Sequence, residues 1–147
     1  MAVATHFKKL RPEKFGTVIG LAPGGVPVYS SDYDSADDKE FPSRRSYLGN
    51  FEGVYTGHKY QCVEFARRWL IQTQGITFGD VGMAYEVMRI GSFNTVSSGD
   101  GIALQRTENG GKGHPPVLGS VILWQPQGFF RHTGHIGIIT HCTWHQQ

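Results

Sequence analysis

Cysteine and histidine supply the commonest pairing for attack on a carbonyl carbon, and both occur here at suggestive places. In YQCVEFARRWL, residues 60–70, Cys62 stands at the start of a run with helical spacing. Val63, Ala66 and Leu70 recur at i, i+3 and i+7, with Phe65 and Trp69 four apart beside them. At a helix amino terminus the unpaired backbone N–H groups and the dipole favour thiolate over thiol. The same N–H groups can meet a developing oxyanion. The base must come from elsewhere in the chain, and His135 leads because it follows Gly134 at the head of a β-like run. An imidazole there would take the thiol proton and later return it to a leaving group. Type and spacing leave both residues open to plainer uses. An isolated cysteine is commonly a small core hydrophobe, and a strand-end histidine often bonds only to backbone.

Other chemistry is poorly served. His132, His135, His141, Cys142 and His145 crowd the carboxyl end, yet no C-x-x-C or H-E-x-x-H spacing joins them, so no metal is expected. Strand alternation would put His141 and Cys142 on opposite faces, with Cys142 a packing residue. The glycine-rich pieces APGG and ENGGKG lack the context of a phosphate loop and read as turns. A net charge of +2, with basic pairs scattered, offers no field for nucleic acid or a membrane surface. Two cysteines cannot build a disulfide framework. No apolar run reaches membrane-spanning length, and the start MAVATHFKKLRPEKFG lacks the apolar core of an export signal. The expectation is a cytoplasmic setting that leaves Cys62 a free thiol.

The elements that must position these residues fit one domain of 147 residues. Residues 1–14 read as an arm and 15–147 as the domain. A hairpin is expected around APGG in FGTVIGLAPGGVPVYSS, followed by surface loop over 32–50. The helix from Cys62 should end at Gly75 and carry a Glu64–Arg68 pair at i, i+4. A second helix is expected over 81–90, a Ser/Gly loop over 91–101 and another loop over 106–116. Strands follow at 117–124 and 135–144, joined by WQPQGFFRHTG. The fold class is α+β, with the cysteine helix packed on a small antiparallel sheet.

With those elements placed, GHKYQCVEFARRWL, GDVGMAYEV, PVLGSVILW and TGHIGIIT, in that order, resemble the amidase domain of glutathionylspermidine and trypanothione synthetase/amidases. These belong to the CHAP group of papain-like cysteine amidohydrolases. FGTVIGLAPGGVPVYSSDY resembles the same family's amino-terminal signature. The resemblance implies that Cys62 is the nucleophile and His135 the general base and acid, without a cofactor. It implies an oxyanion hole from the Cys62 backbone N–H and the Gln61 side chain, and places Arg67 near substrate. Asp80 and the YSSDY segment match without a chemical role. The implied partner is a small glutathione–polyamine conjugate. Its amide, between the glycine carboxyl of glutathione and spermidine, would be hydrolysed through a thioester, with trypanothione as a further substrate.

Two departures from the family stand out. The family couples this domain to a ligase, and no ligase is present in this chain. Family members also orient the histidine with an acid on the following strand, whereas IGIITHCTWHQQ, residues 136–147, holds no Asp or Glu. The last strands are therefore expected to be missing, with Gln146 or Gln147 as neutral substitutes and an exposed sheet edge. Two other readings compete: a peptidoglycan amidase or endopeptidase, and a shortened amidase-like domain that only binds or associates.

Overall fold

The computed structural model describes residues 12–143. The expected 1–14 arm lies mostly outside them, as do His145, Gln146 and Gln147. Among the described residues nine short strands and one α-helix form an α+β fold. The strands are β1 (Val18–Ala22), β2 (Val26–Tyr29), β3 (Leu48–Phe51), β4 (Val54–His58), β5 (Ile76–Thr77), β6 (Ser92–Thr95), β7 (Gly101–Ala103), β8 (Val121–Trp124) and β9 (His135–Ile138). They pair antiparallel as β1–β2, β3–β4, β5–β6–β7 and β8–β9, grouped around helix α1 (Cys62–Gln74).

Helix α1 is the hub. Ala66, Trp69 and Leu70 join Val26, Phe78, Ala84, Val87, Phe93 and Ile136 in one buried cluster, so every sheet except β3–β4 contributes to or lines the core. Gly75 ends the helix as expected, in the left-handed conformation at φ 64°, donating its N–H to the Ile71 and Leu70 carbonyls. The APGG hairpin also forms as expected. Its turn is tied to the helix by the Trp69 indole N–H, which donates to the Pro23 carbonyl at 2.8 Å.

The region 32–50 departs from the surface loop expected of it. Its end forms β3, which turns through Glu52 and Gly53, both at positive φ, into β4. Two positive φ values in succession make a tight hairpin turn whose twist matches the flanking strands. Gly49 and Gly57 face each other across this hairpin. A Cβ on Gly49 would stand 3.2 Å from Glu64 Cγ, and one on Gly57 3.3 Å from Glu64 Cα. The missing side chains let the hairpin lie directly on α1.

Further corrections follow from the same crowding around the helix. The expected helix over 81–90 is a 3-10 segment, Ala84–Arg89, anchored by burial of Ala84 and Val87. The 91–101 loop contains β6 and the start of β7. The last two strands are shorter than expected, and β9 ends at Ile138, so His141 and Cys142 lie beyond it rather than on opposite faces. No helix among the described residues is long and apolar enough to cross a membrane.

Candidate active site

Cys62 is the first residue of α1, and Gln61 is its extended N-cap. The first helical bond runs from the Phe65 N–H to the Gln61 carbonyl at 2.9 Å. The N–H groups of Cys62, Val63 and Glu64 therefore precede the helical ladder and remain for another acceptor. The Cys62 thiol is free and half-buried, with one side against the core. The Gln61 side chain is exposed and caps nothing, while its backbone N–H donates to the His58 carbonyl at 3.0 Å.

His135 opens β9, opposite Trp124 of β8, and α1 packs against β9. The structure thus assembles the helix end that bears Cys62 and the strand that bears His135 around one core, in which Ile136 is buried. The chain reaches His135 through Gly134, at φ +62°, where a Cβ would come within 2.4 Å of the Trp124 carbonyl oxygen. Glycine is required at this entry to the strand. Phe130 stacks on the imidazole at 4.5 Å between centroids and 6° between planes, and Trp124 lies against it at 5.5 Å. Burial pushes the imidazole pKa below its ordinary 6.5, favouring the neutral ring.

Nothing in the sequence reading pointed to Phe130. The Phe129–Phe130 pair lies in the connection between the two strands, and an aromatic residue a few positions before a candidate histidine is its signal in the sequence. Among the described residues the aromatic pair sets the plane of the imidazole by packing. Cavities of about 330 Å³ beside Glu64 and Arg68, and about 840 Å³ beside β1 and Asp32, include neither Cys62 nor His135.

Arg67 is used differently from the substrate contact expected of it. Its side chain is only 1% exposed. Its Nε donates to the Phe78 carbonyl at 3.0 Å, Nη1 to Thr56 at 2.6 Å and Nη2 to Gly79 at 2.9 Å. Asp80 adds an ion pair at 3.6 Å, which gives that residue a supporting role. Burial lowers the Arg67 pKa, but a guanidinium stays charged. With its donors on three carbonyls, Arg67 ties β4 to the chain after β5. The Glu64–Arg68 pair is likewise buried, at 2.8 Å, rather than a surface pair.

Of the carboxyl-terminal cluster, His132 accepts from Arg131 Nε at 2.9 Å, and the Cys142 thiol lies 3.5 Å from the Pro116 carbonyl. No group of three or more His, Cys, Asp or Glu able to hold a metal occurs among the described residues.

A cysteine heading a helix and a histidine heading a strand packed on it is a hydrolase-like layout, and the chain belongs to the CHAP domain family, whose model matches residues 53–146. Among curated proteins it is similar to the bifunctional glutathionylspermidine synthetase/amidase of Escherichia coli (strain K12). The two are 44% identical over 126 residues, covering 86% of this chain and 20% of that protein. Trypanothione synthetase of Crithidia fasciculata is 33% identical over 138 residues, covering 94% of this chain and 20% of that protein. The chain therefore spans about a fifth of the length of these relatives.

Proposed function

We propose that this chain is a cysteine amidase acting on the amide between the glycine carboxyl of glutathione and a polyamine. The observation that carries this reading is the position of Cys62 at the first turn of α1, with β9 and His135 packed on that helix, inside a CHAP match. Similarity to a synthetase/amidase acting on glutathionylspermidine supports the substrate class, with trypanothione as a second member.

In this reaction the Cys62 thiol gives its proton to His135 as sulfur attacks the carbonyl carbon. The oxyanion meets the Cys62 backbone N–H and the Gln61 carboxamide. The C–N bond then breaks, and the imidazolium returns the proton to the departing amine, leaving a thioester. Water, losing a proton to His135, attacks the thioester, and the C–S bond breaks to free the glutathione carboxylate. A lowered His135 pKa suits this sequence, because the neutral ring is the base that begins it.

The test is release of spermidine from glutathionylspermidine, followed by mass spectrometry, beside Cys62→Ala. Release by the parent protein and none by the variant supports the amidase. No release from folded parent protein favours a domain that only binds its conjugate.

A further inference from the structure

Phe129 is the most exposed large hydrophobic side chain among the described residues, at 97%. The reaction sequence gives it no work. It stands in the connection from β8 to β9, within a 3-10 turn over Gly128–Phe130. That turn is held from both ends. The Phe130 N–H donates to the Gln127 carbonyl at 2.9 Å, and the Phe130 carbonyl accepts from the Gly134 N–H at 2.9 Å and the Thr133 N–H at 3.3 Å. The turn is thereby tied to the glycine that leads into His135, so an exposed ring is carried on a fixed backbone.

Aromatic contacts continue from this ring to the imidazole. Phe129 meets Phe130 edge to face, at 5.5 Å between centroids and 84° between planes. Phe130 in turn stacks on His135 at 4.5 Å. Phe129 is therefore the outer end of a shelf that begins at His135. The neighbouring cation, Arg131, is engaged with His132, its Nε 2.9 Å from the ring nitrogen.

The chemistry at His135 sets which part of a substrate passes this shelf. The imidazolium returns its proton to the leaving nitrogen, so the amine side begins at the ring while the acyl side stays on Cys62. A polyamine carries its next ammonium a few methylenes beyond that nitrogen. An aromatic face attracts an ammonium within about 6 Å of its centroid. Phe130 spends its face on the imidazole, whereas the Phe129 ring keeps its own in water.

We propose that Phe129 is a specificity residue, receiving on its ring face the polyamine ammonium nearest the scissile amide. The direction in which the substrate lies rests on the amidase reading. Recognition of the charge by the ring is a separate matter, and binding alone can judge it.

Phe129→Leu keeps an apolar side chain and removes the aromatic face, while Phe129→Trp keeps the face. Both changes fall on a side chain in water, where substitutions disturb the fold little. The quantity to read is kcat/KM for glutathionylspermidine divided by kcat/KM for an uncharged alkylamide of glutathione with a chain of equal length. This ratio should fall about two- to fivefold in Phe129→Leu and stay at or above the parent value in Phe129→Trp. A ratio unmoved by Phe129→Leu would make the ring a mere prop for Phe130 and overturn the proposal. An equal fall in Phe129→Trp would overturn it too. Calorimetric titration of Cys62→Ala, with and without Phe129→Leu, asks the same question without turnover. Loss of the ring should weaken binding of glutathionylspermidine about two- to fivefold relative to the alkylamide. Unchanged discrimination, or no binding of the conjugate, would sink the idea. If the parent protein releases no amine, the amidase reading fails while this titration still judges Phe129.

Discussion

The leading end of α1, at Gln61 and Cys62, and the residues that follow it treat polar groups in opposite ways. At Gln61 the side chain is exposed, at Cys62 the thiol is half-buried and free, and the leading N–H groups precede the helical ladder. A few residues on, Glu64, Arg67 and Arg68 are buried with every charged nitrogen and oxygen engaged. Among the described residues no buried side-chain nitrogen or oxygen lacks a partner. Groups with partners in the chain hold the helix in place, and groups without them are left for a ligand. Rigidity at Glu64 to Arg68 is what lets the Gln61–Cys62 end stay open without losing its geometry.

Substitutions can break this contrast from either side. The largest effect is expected at Cys62. Cys62→Ala should lower amide hydrolysis by about 10⁴-fold or more, while its thermal midpoint stays close to that of the parent. A variant that unfolds instead would make Cys62 a packing residue.

Glu64→Ala should do the reverse. It leaves the Arg68 guanidinium in the core with only the Pro27 carbonyl and aromatic faces. Breaking such a pair costs about 3–5 kcal/mol, readable as a lower urea midpoint. A smaller loss is expected from Gly57→Ala, at φ +125° with a Cβ 3.0 Å from Arg67 Nη1. Strain of this kind costs about 1–3 kcal/mol. Stability within error of the parent would mean the hairpin does not depend on close approach to α1.

The smallest effect concerns pH. Because burial lowers the His135 pKa, the unfolded chain binds a proton there more readily than the native one. The contribution is fully present above about pH 6.5 and fades as pH falls through the lower native value. Urea titrations from pH 7.5 downward should show a steeper loss for the parent than for His135→Gln. By the same shift, the acid limb of kcat/KM should lie below pH 6.5.

Much of this contrast was legible in the sequence, and the misses have identifiable physical causes. The helix start, Gly75 and the APGG hairpin carry local signals, each enforced by backbone conformation. The β3–β4 hairpin was hidden because Glu52–Gly53 is not a usual turn pair, and because Gly49 and Gly57 weaken any strand reading. Their value lies in what they allow to approach, which no local window contains. The resemblance places Arg67 near substrate, and no local window shows that the β3–β4 hairpin covers that side of the helix and that its donors meet three carbonyls. The 3-10 segment at Ala84–Arg89 takes its form from packing rather than propensity. Cys62 and His135 were legible as candidates, while Phe130 and Trp124 became visible only once β8 and β9 were paired.

In the proposed reaction Cys62 carries the acyl group. Rapid acid quenching of the protein during turnover of glutathionylspermidine, followed by peptide mass mapping, tests it directly. A glutathionyl thioester is expected on the peptide bearing Cys62. Hydrolysis with the acyl group on another residue, or turnover that survives Cys62→Ala, would contradict it.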